Sequence, residues 1–324
     1  MEKVIEVKDL NKSFRIYKKE QGILNSIKSL INRKYEDVHA VSDISFSIER
    51  GAFVGLIGPN GAGKTTTLKM LTGLLYPTSG DVKVLGYVPY KRDRSYLKRI
   101  SLVMGQKSQL WWDLPASDSF YLNKDIYEIP DNEFNERYNE LAELLEIKHI
   151  LNTQVRKLSL GQRMRCELMS SLLHNPEVLF LDEPTIGLDV VMQKKLHTFF
   201  KEYNEKYNTT VILTSHYMDD VKELCKRVLI VDEGRLVFDG DLDSLVKKYV
   251  NKKNISFVSN NRLSKKDVIN LGEVVSFSPH KITISVDRSD VANISSKILS
   301  SFDVDDLDIN EMSLEEVIRK VFSK

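Results

Sequence analysis

The sequence predicts an α/β protein in which a mainly parallel β-sheet is covered by helices, carries a helical subdomain and is followed by a small α+β module. Three observations support this fold class. Short apolar runs alternate with helical patterns and glycine turns up to about residue 240, the pattern becomes helical between roughly 107 and 173, and strand alternation resumes near 250. The 324 residues are 42% apolar and 29% charged, a balance typical of globular chains.

The sheet is predicted from three short, nearly continuous apolar runs at 52–57, 178–181 and 210–214. Continuous runs indicate strands that are buried on both faces, as in parallel sheets whose connections place helices on either side. We therefore assign residues 1–245 to one α/β domain.

The helical subdomain is predicted from side-chain spacing. Phe134, Tyr138, Leu141 and Leu145 recur at helical intervals with charged residues between them. We expect residues 107–173 to form helices inserted into the α/β core.

The C-terminal module, residues 250–324, alternates between strand and helix patterns. The pattern predicts a strand at 255–257, a helix capped by Ser264 and Asp267, strands at 274–277 and 282–286, a helix through Val291, Ile294 and Ile298, a strand at 307–309, and a last helix with a capping box at Ser313 and Glu316. The order βαββαβ-α indicates a ferredoxin-like topology.

Composition excludes several classes of function. Lys plus Arg is 47 and Asp plus Glu is 46, so the net charge of +1 argues against a nucleic-acid partner. The two cysteines, Cys166 and Cys225, lack metal-ligand spacing and suit a reducing compartment. No apolar run approaches the ~20 residues that span a bilayer, and the N-terminus does not read as a signal peptide.

A glycine-rich loop at 58–65 matches the pattern G-x-x-x-x-G-K-[ST] between a predicted strand and a predicted helix. In such a loop the backbone N–H groups point at phosphate oxygens, and the helix N-terminus adds its positive dipole. Lys64 is expected to reach the β and γ phosphates, and the Thr65 hydroxyl to bind Mg²⁺. The pattern predicts a P-loop NTPase that binds ATP.

Two acids, Asp182 and Glu183, end the apolar strand at 178–181. Two acids at a strand end are by themselves more often a helix cap or a surface pair. Beside a phosphate loop, Asp182 is placed to hold Mg²⁺ through water, and Glu183 to take a proton from the attacking water.

Six elements in order resemble the ATP-binding cassette (ABC) ATPases over about residues 4–240. They are the loop at 58–65, Gln106, the Leu-Ser-Leu-Gly-Gln run at 158–162, Asp-Glu-Pro-Thr at 182–185, Gly-Leu-Asp at 187–189 and Thr-Ser-His at 214–216. In that family two nucleotide-binding domains close head to tail over two ATP molecules. The resemblance therefore implies a homodimer that binds ATP and Mg²⁺.

The resemblance also implies site roles. The residues implied to bind the nucleotide or its Mg²⁺ within one chain are Gly58, Asn60, Gly61, Gly63, Lys64, Thr65, Thr66 and Asp182. Gln106 would link the metal and water to the helical subdomain, with Glu183 as general base and His216 on the γ-phosphate. Ser159 and Gly161 would bind the γ-phosphate of the ATP held by the opposite protomer, and Gln162 and Asp189 are also implied to bind the nucleotide. A helix opening at Ser159 again directs an N-terminus at an anion.

The N-terminal region departs from the family pattern. The family stacks adenine on an early aromatic residue, for which Phe14 fits best and Tyr17 is the alternative. The family commonly reaches its next strand within a few residues, whereas here residues 15–39 intervene. Within them, an amphipathic helix is predicted at about 20–34. A similar helix occurs in ATPases of polysaccharide and lipid-linked exporters; the alternative is a helix packed on its own sheet.

The only tryptophans, Trp111 and Trp112, are adjacent. In a strand, neighbouring side chains point to opposite faces, so a single hydrophobic core does not easily bury both tryptophans. In the family this segment receives the coupling helix of the membrane subunit, and the hypothesis is that one tryptophan lines that groove. The alternative is that both pack internally.

The sequence therefore predicts the ATPase subunit of an exporter, held at the cytoplasmic face of the membrane by separate transmembrane permease subunits. The strings at 103–115 and 185–191 resemble a bacterial drug- and viologen-exporter subgroup, and the tail at 313–317 resembles drug-exporter ATPases. Two alternatives stay open: an importer ATPase, and a soluble cassette ATPase acting on DNA or ribosomes. The cargo is not encoded in this chain.

Overall fold

The larger of two units, Met1–Asp239, is built on two β-sheets. The computed structural model describes residues 2–17, 35–247, 252–312 and 314–322. Its first nine strands are β1 (Lys3–Tyr17), β2 (Tyr35–Glu49), β3 (Phe53–Ile57), β4 (Ser79–Val84), β5 (Ile100–Met104), β6 (Val178–Asp182), β7 (Thr210–Thr214), β8 (Arg227–Asp232) and β9 (Arg235–Asp241).

The six-stranded sheet has the order β5-β6-β7-β3-β8-β9, with parallel pairing from β5 to β8. The three apolar runs form β3, β6 and β7, so the predicted parallel sheet is confirmed. Register places Met104 beside Asp182, and Asp182 beside Thr214. Because the strands are parallel, the segments after these three residues leave the sheet at the same edge.

The second sheet is antiparallel, with the order β2-β1-β4, and was not anticipated from the sequence. Its signal was present, because Ile44, Phe46 and Ile48 alternate as buried side chains along β2. The predicted helix at 20–34 lies outside the described residues.

The helices of this unit are α1 (Lys64–Leu71), α2 (Arg94–Leu97), α3 (Ala116–Tyr127), α4 (Asp131–Leu144), α5 (Leu160–Leu172), α6 (Val190–Tyr207) and α7 (Met218–Leu224), with short 3-10 helices at Pro89–Lys91, Lys148–Ile150 and Val155–Lys157. The helical periodicity is confirmed in α4, which buries Phe134 and Leu141. Leu145 follows as its buried C-cap.

The second unit, Gly240–Lys324, has its own core. Its elements are α8 (Leu242–Lys247), β10 (Lys252–Ser259), α9 (Lys265–Val268), β11 (Glu273–Phe277), β12 (Lys281–Asp287), α10 (Val291–Ser301), β13 (Val304–Glu311) and α11 (Leu314–Phe322). The antiparallel sheet has the order β11-β12-β10-β13, which confirms the ferredoxin-like topology. Ser264 is the N-cap of α9 and forms a capping box with Asp267, whose carboxylate accepts the Ser264 N–H at 2.7 Å. The predicted cap at Ser313 lies outside the described residues.

Within the ranges described, no helix combines the length and the apolar character that crossing a bilayer requires.

Candidate functional site

The glycine-rich loop at 58–65 joins β3 to α1, and the surrounding backbone requires its glycines. Gly63 has φ +101°, and a Cβ there would lie 2.4 Å from the Ala40 carbonyl oxygen. A Cβ on Gly58 would lie 2.1 Å from the Val231 carbonyl oxygen. Gly61 also has positive φ, +82°. The loop is thus curled tightly against its own domain.

The curl leaves a row of backbone donors at the start of α1. Within the described residues, the N–H groups of Gly61, Gly63, Lys64, Thr65 and Thr66 donate to no protein acceptor, whereas Thr67 N–H bonds to Gly63 O at 2.8 Å. Unpaired N–H groups at a helix N-terminus form a binding site for an anion.

Lys64 lies beneath this row. Its Nζ donates to the carbonyl oxygens of Gly58 at 2.7 Å and Pro59 at 2.9 Å, which fixes the ammonium group within the loop. Burial lowers the pKa of Lys64, and the nearby carboxylates of Glu183 and Asp182 oppose that shift. A bound phosphate would add the same opposing charge.

Asp182 lies at the carboxyl end of β6 and faces α1. Its carboxylate accepts from Thr65 Oγ1 at 3.0 and 3.2 Å and from Thr214 Oγ1 at 2.6 Å. Oxygen donors of this kind suit Mg²⁺. Across the described ranges, no three His, Cys, Asp or Glu side chains are grouped to hold a metal ion. A Mg²⁺ ion would therefore take further oxygens from nucleotide phosphates and water.

Glu183 occupies the centre of the edge formed by β5, β6 and β7. Its Oε2 accepts from Gln106 Nε2 at 3.1 Å, and its Oε1 lies 2.5 Å from His216 Nε2. Its backbone has φ +54°, a strained value for a residue with a side chain. Gly105 permits this conformation, because a Cβ there would lie 2.0 Å from the Glu183 carbonyl oxygen. The structure thus brings together three residues that were predicted from separate motifs.

The Ser159 turn, residues 159–162, opens α5. Ser159 Oγ accepts the Gln162 N–H at 3.2 Å, and Gln162 Oε1 accepts the Ser159 N–H at 2.9 Å, so the two residues form a capping box. In the part of the chain that is described, no hydrogen bond or ion pair joins this turn to the loop at 58–65.

Asp189 serves as the N-cap of α6, where its Oδ1 accepts the Met192 N–H at 2.8 Å. It lies near the Ser159 turn, because a Cβ on Gly161 would meet Met192 Cγ at 3.1 Å. Four of the predicted site residues, Ser159, Gly161, Gln162 and Asp189, therefore belong to a separate cluster.

Phe14 lies on β1, paired with Val38, and its side chain is 38% exposed. Lys12 Nζ lies 5.1 Å from its ring centroid. Ala40, two residues after Val38, touches Gly63, so Phe14 lies about two strand residues, or ~7 Å along the strand, from the position that contacts the loop. Tyr17 is farther along β1, at its end.

Trp111 and Trp112 lie in a turn-rich loop rather than a strand, so the argument from strand alternation does not apply to them. They are 57% and 49% exposed, and the Arg163 guanidinium lies 4.3 Å from the Trp112 ring centroid.

Two buried carboxylates near the site were not predicted from the sequence. Glu167 on α5 accepts the N–H of Gln109 at 2.9 Å and the Ser108 hydroxyl. Asp220 on α7 is 1% exposed and accepts the hydroxyl groups of Thr185 and Ser215. Their signal in the sequence is weak, because an acid on a helix is ordinarily a solvent-exposed residue.

Comparison with known proteins agrees with this geometry. The family model "ABC transporter" matches residues 41–186, and the model "EvrA-like ABC transporter, C-terminal domain" matches residues 251–310. The probable multidrug ABC transporter ATP-binding protein YbhF of Escherichia coli is 35% identical over 68% of this chain, which spans only 38% of that relative's length.

The linearmycin resistance ATP-binding protein LnrL of Bacillus subtilis is 34% identical over 67% of this chain and 70% of its own length. Among solved structures, the ATP-binding cassette MJ0796, a dimer bound to ADP and Pi in a post-hydrolysis state, aligns with a TM-score of 0.60 at 24% identity, covering 73% of this chain and 98% of that one. This last similarity concerns the fold alone. On the matched domain model and the identity to LnrL, the chain belongs to the family of ABC transporter ATP-binding proteins.

Proposed function

We propose that this chain binds and hydrolyses ATP with Mg²⁺ and powers export through separate transmembrane subunits. The observation that carries the proposal is the position of Glu183. Its carboxylate is held between Gln106 and His216 at the sheet edge from which the loop with its unpaired N–H groups also emerges. A base beside a phosphate site is the arrangement that nucleotide hydrolysis needs.

Each residue of the site has a separate role in binding or hydrolysis. The N–H row and Lys64 bind the phosphates, and the aromatic face of Phe14 stacks on adenine. Thr65 and Asp182 hold the Mg²⁺, which neutralises phosphate charge when bound. Glu183 accepts a proton from water, and Gln106 and His216 fix its carboxylate. The contact of His216 with the γ-phosphate is part of the proposal.

The site is completed by a second copy of the chain. The Ser159 turn offers the N–H groups of Leu160 and Gly161, which donate to no protein acceptor within the described ranges. Because this turn is not joined to the loop of its own chain, we place it on the ATP bound by the partner protomer. The dimeric state of the MJ0796 cassette supports this arrangement.

The membrane partner docks beside the helical subdomain. A groove of about 520 Å³ lies there, with apolar walls that include Leu102, Met104 and Ile126 and cations at Arg92 and Lys98. Gln109 lines it, whereas neither tryptophan is among its described lining residues. We place a coupling segment of the permease in this groove, with the exposed Trp111 and Trp112, which follow Gln109 by two and three residues, as further anchors. This contact would hold the chain at the cytoplasmic face of the membrane.

Export is supported by the relatives, since YbhF is described as a probable multidrug transporter component and LnrL as a resistance protein. An importer would use the same catalytic residues, and a soluble ATPase on DNA or ribosomes would need a basic surface that a net charge of +1 does not favour.

We assign residues 1–245 to the ATPase domain and 250–324 to an accessory module.

The test is phosphate release by the purified chain, with Lys64→Ala as the inactive variant and Lys69→Ala, five residues along α1, as the matched control. We expect ATP turnover in the wild type and in the control only. Absence of turnover in the wild type with Mg²⁺ would contradict the ATPase assignment. Recovery of the tagged chain from cells with ribosomes instead of membranes would contradict the transport assignment.

A further inference from the structure

Asp220 is a buried carboxylate beneath the catalytic edge, and it contacts three segments of the chain: the turn after β6, the turn after β7 and helix α6. Its Oδ2 accepts the hydroxyls of Thr185 and Ser215, each at 2.5 Å, and its Oδ1 lies 2.6 Å from His197 Nε2. Asp220, Thr185 and Ser215 are each 1% exposed, and His197 is 7% exposed. A carboxylate this deeply buried is costly unless its oxygens are hydrogen-bonded, so the cluster behaves as one unit.

Two of the three partners belong to the segments that carry the catalytic pair. Thr185 follows Glu183 by two residues in the turn after β6, and Ser215 immediately precedes His216 in the turn after β7. Ser215 Oγ also accepts the Tyr217 N–H at 2.9 Å, so the hydroxyl bonded to Asp220 holds the chain on both sides of His216.

The third partner, His197, lies on α6, the helix capped by Asp189. The Asp220 carboxylate therefore joins the turns after β6 and β7 to the helix that begins at Asp189. Nothing in this cluster touches the phosphate loop through a hydrogen bond among the described residues.

We infer that Asp220 is a positioning residue for ATP hydrolysis, which keeps Glu183 and His216 in their mutual geometry by binding the two turns that carry them. The inference rests on the proposed ATPase function. The carboxylate of Glu183 and the imidazole of His216 meet at 2.5 Å only if both turns are held, and Glu183 is held in a strained backbone conformation, φ +54°. Misplacement of a catalytic group by about 1 Å costs on the order of a hundredfold in rate.

The chain offers a matched control, because Asp219 is the exposed neighbour of Asp220 on the same helix. We expect Asp220→Ala to lower kcat for ATP by about ten- to a hundredfold while the Kd for ATP changes less than about twofold, since the loop is untouched. Asp219→Ala should match the wild type in both. Rates are measured well below the melting temperature of each variant, so that a loss of stability alone leaves kcat unchanged.

Milder variants keep the test decisive if Asp220→Ala does not fold. Thr185→Val and Ser215→Ala each remove one donor, and each should lower kcat with little change in the Kd for ATP. Asp220→Asn keeps an oxygen for the two hydroxyls and should recover part of the rate. A folded Asp220→Ala with wild-type kcat, or Thr185→Val and Ser215→Ala both at wild-type kcat, would overturn the inference. A wild-type chain without turnover would instead overturn the proposed function.

Discussion

The phosphate loop and the Ser159 turn are both helix N-termini, yet they differ in their contacts with the rest of the chain. The loop at 58–65 is surrounded by its own chain: Lys64 is fixed by two carbonyls, and Thr65 is bonded to Asp182. The Ser159 turn is closed on itself by a capping box and makes no hydrogen bond to the loop within the described residues. The phosphate loop is preorganised by contacts within one chain, whereas the Ser159 turn is the half-site that we propose a second copy of the chain uses.

Because the loop and the turn differ in this way, substitutions in them should have different effects on activity. A change near the loop should damage ATP binding or chemistry in a single chain. A change in the turn should leave binding by a single chain intact and damage only what requires two chains.

The largest effect is expected for Glu183→Gln. Loss of a general base lowers the rate by about 10²- to 10⁴-fold, while the phosphate contacts remain. We expect ATP binding to persist and an ATP-bound dimer to accumulate, measured by phosphate release and by size-exclusion chromatography with light scattering. A monomeric Glu183→Gln protein with normal turnover would contradict both the base assignment and the two-chain site.

Ser159→Ala should come next. Loss of a hydrogen bond to a charged phosphate costs about 1.5–3 kcal/mol, or about ten- to a hundredfold in rate, while the Kd for ATP of the monomer stays unchanged. The capping bond is lost as well, at about 1 kcal/mol of stability, so the rate is measured below the melting transition.

Mixing Ser159→Ala with Lys64→Ala sharpens this test. In a head-to-tail dimer of one copy of each, one composite site keeps both an intact loop and an intact turn. Random pairing should then restore about a quarter of the wild-type sites, although each variant alone is nearly inactive. No recovery on mixing two folded variants would contradict the head-to-tail assignment.

Phe14→Ala tests the assignment of Phe14 as the residue that stacks on adenine. Base stacking contributes about 1–3 kcal/mol, so the Kd for ATP should rise about tenfold while kcat at saturating ATP is kept. Tyr17→Ala is the control, and fluorescence of a labelled nucleotide gives the measurement. If Tyr17→Ala weakens binding more than Phe14→Ala, adenine stacks on the other ring.

The smallest effect on ATP turnover is expected for Trp111→Ala and Trp112→Ala. Both residues are about half exposed and take no part in the contacts among Gln106, Glu183 and His216, so turnover by the purified chain should stay within about twofold. The amount of chain recovered with membranes should fall, because tryptophans are strong interface anchors. Normal membrane recovery of both variants would contradict the docking proposal.

Much of this site was predictable because its chemistry is local in sequence. A glycine pattern between a strand and a helix needs no tertiary information, and neither does a capping box such as Ser159 with Gln162. The strands at 178–181 and 210–214 were predictable from their continuous apolar character. The antiparallel sheet was missed because its alternating signal along β2 is weaker than a continuous apolar run, and its partner strands are distant in sequence.

The buried carboxylates were not predictable in this way. Asp219 and Asp220 are adjacent acids at the start of one helix, and the sequence does not indicate which of them is buried. The fold decides it, since α7 packs against α6 and the turn after β7, which brings His197 and Ser215 to Asp220 alone.

By itself, the sequence predicted that this chain holds a nucleoside triphosphate at 58–65 and which residue types would act on it, because those signals depend on neighbours along the chain. Only the tertiary structure decided that Gln106, Glu183 and His216 meet, through the parallel register of β5, β6 and β7. It also showed that, among the described residues, no hydrogen bond joins the Ser159 turn to the loop. The physical reason is the same in both cases: strand pairing and helix packing decide which residues distant in sequence come into contact.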